Sequence, residues 1–179
     1  MSAPFTIAEI DETTFPAWRE LRLRALREHQ LMFGEMHASY ATLTIAEARD
    51  RFFTRRAEGT ITFGAFTADG SLVGTAGMFR EHGDRWQHKA VLWGMYVAPE
   101  HRGSGLADAL VREVIARARA TAGVRQLHLS LTSVNLTAKR LYERHGFRVW
   151  GTEPRAEFTD GIAYEYDYMA LIFDEEAAP

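Results

Sequence analysis

Between Ala90 and Leu131 the hydrophobic period of the chain changes twice, and that run constrains the fold more than any other part of the sequence. Ala90–Val97 is an almost unbroken apolar stretch closed by Pro99, which reads as a strand. From Gly103 to about Thr121 the apolar positions are 107, 110, 111, 114, 115 and 118, one face of a helix, with Arg112, Glu113, Arg117 and Arg119 on the other. Gly123 ends that helix. Leu127, Leu129 and Leu131 then alternate with Gln126, His128 and Ser130, the period of a strand with one buried face.

The flanks extend this strand–helix–strand unit. Phe5–Ile10 reads as a strand, followed by a helix from an Asp11 or Thr13 cap to about Gln30, with Trp18, Leu21 and Ala25 at helical spacing. Thr44–Arg56 is a second helix, opened by a capping box of Thr44 and Glu47. Leu31–Ala41, between them, has no clean period. Thr60–Thr67 and Leu72–Arg80 form a hairpin across Ala68-Asp69-Gly70-Ser71, and Glu81–His88 is a polar loop. Beyond the central unit, Leu136–His145 places Ala138, Leu141, Tyr142 and His145 on one helical stripe, stopped by Gly146. Phe147–Thr152 and Ile162–Phe173 close the chain as strands. The order is βααβββαβαββ, expected to form a single domain over residues 1–179.

Composition narrows the function. The formal net charge is −3 and no long basic run occurs, which argues against a nucleic-acid partner. There is no cysteine, so disulfides, thiolate metal sites and a cysteine nucleophile are excluded. No stretch has the length of a membrane span or the pattern of a signal peptide, and the expected location is the cytoplasm, with no membrane partner.

Two segments carry chemistry. In Met95-Tyr96-Val97-Ala98-Pro99-Glu100-His101-Arg102-Gly103-Ser104-Gly105-Leu106-Ala107 a strand stops, a turn follows and a helix begins. Backbone N–H groups at a helix N-terminus lack internal partners and can bind an anion. Gly103 and Gly105 would let a pyrophosphate approach the backbone, and Arg102 could add its guanidinium. The glycines could equally just shape the turn. No Gly-Lys-Ser/Thr follows, so this is not a nucleotide P-loop, and Asp108 stands where a dinucleotide fingerprint has its third glycine. The second segment runs from Asn135 to Phe147. Taken alone, its Tyr142 reads as a core tyrosine and Asn135 as a helix cap.

Taken together, the two segments resemble the GNAT superfamily of acetyltransferases. The Arg-x-x-Gly-x-Ala turn after a Val-x-Pro strand end is similar to that family's acetyl-CoA pyrophosphate loop. Asn135, Ala138, Tyr142, Gly146 and Phe147 match its Asn-x-x-Ala-x-x-x-Tyr-x-x-x-Gly-Phe helix, about thirty residues on. The likeness is good over residues 60–173; the first 59 match only in element order. It implies an α+β fold, a mixed, mostly antiparallel sheet of six to seven strands, splayed between the fourth and fifth and flanked by four helices. It also implies that pantetheine hydrogen-bonds the backbone of Met95 and Val97 in the splay, beside Tyr96. Pyrophosphate would sit on the amides of Arg102, Gly103, Ser104, Gly105, Leu106 and Ala107. Asn135 would touch the pantetheine arm, and Tyr142, the expected catalytic residue, would donate to the sulfur.

The activity so implied is N-acetylation of a primary amine, on a small molecule or peptide, by direct attack on acetyl-CoA in a ternary complex. An oxyanion donor is expected among the backbone N–H groups near Met95. Ala90–Val97 holds no acid that could serve as base; the remaining candidates are Glu35, His37, Glu81, Asp84, His88, Glu165 and Asp167. No metal is expected, because His82, Asp84 and His88 share no helix or strand face. Leu31–Ala41 and Glu153–Asp160 are expected to border the acceptor, with Phe33, Tyr40, Trp86, Phe158 and Tyr164 as an aromatic wall and nearby acids suited to a cation. The alternative is an inactive acetyl-CoA-binding sensor or interaction domain of the same fold. A homodimer through the closing strands is compatible with both.

Overall fold

The computed structural model describes residues 5–173. Its strands are β1 (Phe5–Glu9), β2 (Ile61–Thr67), β3 (Leu72–Arg80), β4 (Lys89–Val97), β5 (Gln126–Thr132), β6 (Arg148–Thr159) and β7 (Ile162–Ile172). They form one seven-stranded sheet in the order β1-β2-β3-β4-β5-β7-β6. Its helices are α1 (Phe15–Glu28), α2 (His37–Ala41), α3 (Ile45–Ala57), α4 (Leu106–Ala120) and α5 (Leu136–Arg144). Every strand pair is antiparallel except β4 with β5. Among the described residues no helix is long and apolar enough to cross a membrane.

Local chemistry sets the helix starts. Asp11 accepts hydrogen bonds from the Thr13 and Thr14 amides and hydroxyls ahead of α1. Those bonds, the Thr13 hydroxyl foremost, hold its carboxyl down at about 2. Thr44 and Glu47 form the expected capping box on α3. The segment between α1 and α3, which has no periodicity, folds as a short 3₁₀ turn (Gln30–Met32) and the one-turn α2. That adds a fifth α-helix to the expected four.

The helices lie on the sheet's two faces. α4 buries Leu106, Leu110, Val111, Val114 and Ala118 against Phe63, Ala76, Leu92, Leu127 and Leu129. It comes close enough to β3 that a side chain at Gly74 would collide with Leu106, 2.7 Å away. On the opposite face α1 and α3 pack Phe15, Trp18 and Phe52 against Trp93 and Ile10. The Trp18 indole donates to Thr75 across 3.1 Å, tying α1 to β3.

β6 is longer than the sequence reading gave. Glu153–Thr159 continues the strand, past a bulge between Glu153 and Glu157, and the chain turns at Asp160-Gly161 into β7. The even-numbered Tyr164, Tyr166 and Tyr168 of β7 share one face with Ser130 and Thr132 of β5, partly open to solvent apart from buried Thr132. The odd-numbered side faces α5, where buried Asp167 accepts from Lys139 (2.8 Å) and Thr152 (2.7 Å).

Burial alone would raise the Asp167 carboxyl, but Lys139 and Thr152 outweigh it and hold it below the usual range. Asp167→Ala should therefore cost about 2 kcal/mol, the usual size for hydrogen bonds to a charged group. For a chain of this length that is roughly 4–8 °C in Tm. A depressed carboxyl stabilises above its unfolded pKa of about 3.9 and stops doing so as pH falls through the folded value. The wild-type advantage over the variant should thus be full at pH 7 and shrink below about pH 4, as read by denaturant melts. An advantage that does not depend on pH would remove the ionic explanation.

Candidate active site

β4 and β5 pair only at Lys89–Gln126, Ala90–Leu127 and Val91–His128. From Leu92 on, β4 turns away and the sheet splits. The β3–β4 register slips between Thr75 and Gly77, so that Gly94 and Met95 together oppose Ala76. Gly94 has φ 65°, a left-handed conformation that suits glycine at a bulge. This distortion leaves the extra residue out of the ladder at the mouth of the split. The isolated glycine inside an apolar strand is the signal that could have announced it.

The split opens into a cleft of about 660 Å³. Its walls include Met95, Tyr96, Val97, Arg102, Gly103, Gly105, Ala107, Asp108, Asn135 and Ala138. Two faces of the sequence that lie far apart are thereby brought to one site. His29, Met32 and Phe33, from the end of α1 and the turn after it, also line it, as does Arg144; sequence reasoning did not single these out as cofactor-side residues.

The turn before α4 has the geometry of an anion cradle. Gly103 and Gly105 have φ of 76° and 82°, and a side chain added at either would meet open space. The first helical bond runs from the Ala109 amide to the Gly105 carbonyl. Among the described residues no acceptor faces the backbone N–H groups from Gly103 to Asp108. Such unsatisfied donors beside a cleft form a concentrated partial positive charge. Asp108, a negative group here, is held by Arg144 (3.1 Å) and His145 (3.0 Å).

Other expected residues are placed differently. The Ser104 hydroxyl donates to the His101 carbonyl and shapes the turn, while the Leu106 side chain is core; only their amides belong to the cradle. Arg102 donates from Nε to the Val97 carbonyl (3.1 Å), and its Nη2 lies 2.8 Å from His29 Nε2. Burial, then the Arg102 charge, lowers the His29 pKa, so the neutral ring accepts that bond at pH 7. Asn135 caps α5 by accepting from the Ala138 amide, and its Nδ2 donates to Met32 Sδ at 3.0 Å. Thr132 also donates to that sulfur, so Met32 spans the cleft from the α1 side to the β5 wall. Tyr142 is 5% exposed, edge-on to Phe147. Burial raises its pKa, and among the described residues nothing hydrogen-bonds its hydroxyl.

The acetyltransferase (GNAT) family model matches residues 15–147. The chain belongs to the GNAT family. Over 92 residues it is 36% identical to a streptothricin acetyltransferase of Streptomyces lavendulae, covering 51% of this chain and 47% of that protein. The chain thus spans about half the length of that curated relative. A putative acetyltransferase from Salmonella typhimurium, solved with its cofactor acetyl-CoA, superposes with TM-score 0.82 at 23% identity, over 99% of this chain and 98% of its own. A phosphinothricin acetyltransferase from Sinorhizobium meliloti, in complex with acetyl-CoA, gives 0.82 at 20% identity, over 100% and 93%. At these identities the structures establish the GNAT fold.

Of the acids weighed as bases for this GNAT chain, two are neutralised. Glu35 is held by Arg22 (3.3 Å) and Arg51 (2.7 Å), and Asp167 by Lys139. A second cavity beside Glu35 and Trp93, of about 30 Å³, has room for little more than water.

Proposed function

We propose that this chain transfers the acetyl group of acetyl-CoA to a primary amine by direct attack in a ternary complex. The observation that carries this reading is the run of unpartnered amides from Gly103 to Asp108, opening on a cleft that narrows into the β4–β5 split. A long anionic cofactor suits that shape: pyrophosphate on the amides with Arg102, pantetheine along Met95, Tyr96 and Val97. The acetyl-CoA complexes of fold relatives support it. Asn135 reaches the pantetheine arm by exchanging Met32 for it.

The amine nitrogen attacks the thioester carbon, the carbonyl oxygen takes the charge, and the C–S bond breaks to release thiolate. The backbone near the Gly94–Met95 bulge is suited to receive the oxyanion. Tyr142 serves the thiolate. Its phenol, with a pKa raised by burial, is a weaker acid than a thiol of pKa about 8.5, so it donates a hydrogen bond and keeps its proton. An amine of pKa about 10.4 is mostly protonated at pH 7, so its small neutral fraction attacks and the proton it sheds as the amide forms passes to solvent water.

The neutralised Glu35 and Asp167, with no acid on β4, favour a second reading: a cytoplasmic acetyl-CoA sensor without turnover. Coenzyme A release from acetyl-CoA across amino acids, polyamines, aminoglycosides and peptide N-termini separates the two. The transferase reading expects release with at least one class, and intersecting initial-rate lines, since no cysteine is present to carry the acetyl group. Acetyl-CoA binding without release from any class would leave the sensor reading.

A further inference from the structure

Asp108, on the cleft wall, is paired with Arg144, and Glu35, Asp167 and Glu100 are paired with Arg22 and Arg51, Lys139 and Arg24 in turn. Glu157 differs. One carboxylate oxygen accepts from the Thr159 hydroxyl at 2.8 Å and the other from the Tyr166 phenol, and both donors are neutral. Among the described residues no cation pairs with it. It is a partly buried negative charge, oriented but not balanced, and the phenol that orients it stays protonated because burial and Glu157 itself raise its pKa.

Register places this carboxylate on the sheet face that Met32 reaches from the cleft. Directly opposed strand residues share a face. Tyr166 opposes Thr132, and Glu157 opposes Tyr164. Thr132 touches Met32, which lines the cleft. The sequence Met32, Thr132, Tyr166, Glu157 therefore leads from the cleft over the face away from α5, across two strand spacings and two residues along β7, about 12 Å from Thr132. Tyr164 and Tyr166 are partly exposed on the same face, so a cation beside Glu157 would also meet aromatic rings.

We propose that Glu157, set by Tyr166 and Thr159, determines acceptor specificity by anchoring a second cationic group of the substrate. This rests on the acetyl-transfer reading for its meaning. The acceptor is then a polyamine or another compound with two positive groups about 12 Å apart, one presented to the split and the other seated on Glu157.

Spermidine and butylamine are the probes, titrated calorimetrically into the protein with and without coenzyme A, and compared in acetyl transfer. Wild type should bind spermidine at least tenfold more tightly than butylamine, with the preference falling as salt is added. Glu157→Gln, which keeps the hydroxyl partners, should remove that tenfold and leave butylamine unchanged. Glu58→Gln, exposed just past α3, should behave as wild type. Tyr166→Phe, which leaves the charge but not its orientation, should lose part of the preference, and tests the idea should Glu157→Gln fold poorly. Equal losses for both amines in Glu157→Gln, an unchanged preference, or no binding of spermidine would overturn the anchor. Acetylation of amines without a spermidine preference would sink the anchor and leave the transferase. Spermidine held through Glu157 with no coenzyme A release would keep the anchor and sink the transferase.

Discussion

Replacing Gly105 by Val is expected to remove most of the thermal stabilisation that acetyl-CoA gives the wild-type protein. A ligand that binds only the folded state contributes about 2.7 kcal/mol at a hundredfold excess over Kd. In a chain of this size that is roughly 5–10 °C. Gly105 stands at the first turn of α4 with φ 82°, on the cleft wall, and its missing side chain would project into open space. Valine would put a branched carbon where the pyrophosphate should rest and would strain the amides out of alignment. Strain alone could lower the melting temperature of the free protein, so Gly70→Val is the companion. Gly70 has φ 85° and open space around it, but lies in the β2–β3 turn and not on the cleft wall. Both variants should melt earlier; only Gly105→Val should lose the ligand shift. An intact shift in Gly105→Val would remove the pyrophosphate from this turn.

Tyr142→Phe should slow acetyl transfer by about 10- to 150-fold, the equivalent of one hydrogen bond to a charged group, 1.5–3 kcal/mol. The affinity for acetyl-CoA should hardly change, because the bond forms only as the thiolate leaves. Folding should not suffer either. The hydroxyl has no hydrogen-bond partner in the fold to lose, and the ring stays against Phe147. A melting temperature equal to or above wild type, together with slow single-turnover transfer, is the expected pair of results. Single-turnover rates avoid masking by product release. A variant as fast as wild type would make Tyr142 a core residue and nothing more.

What the sequence made legible follows from where the periodicity is strong. The α4 face and the alternation of Leu127, Leu129 and Leu131 are set by burial against each other, so they read directly as helix and strand. The Thr44–Glu47 box and the Gly103–Gly105 turn are local chemistry and were readable for the same reason. Residues 153–159 were not, because a bulge breaks the alternation there and the strand exposes both faces. The Asp160-Gly161 pair, both at positive φ, was the available cue. Met32 carried no cue at all. Its position across the cleft depends on Thr132 and Asn135, a hundred or more places along the chain, and no pattern within the 31–41 segment encodes such a contact. Glu157 lay within the expected acceptor segment, but what separates it from the other acids there is its partners, Tyr166 and Thr159, which only the strand register supplies.

The divided sheet has one more consequence. Past Val91, β4 is an edge strand lying in the interior of a seven-stranded sheet, with backbone groups that β5 does not satisfy. Edges of that kind are templates on which another chain's strand can grow, and proteins shield them with loops or bulges. Here the Gly94 bulge spoils the template and Met32, fastened to Thr132 and Asn135, lies over the opening. On the proposed reading, the methionine that a cofactor would push aside is thus also a gatekeeper against self-association. A polypeptide able to displace it would find the same backbone row proposed for pantetheine, so keeping the cleft filled should protect the protein from aggregation as well as from heat.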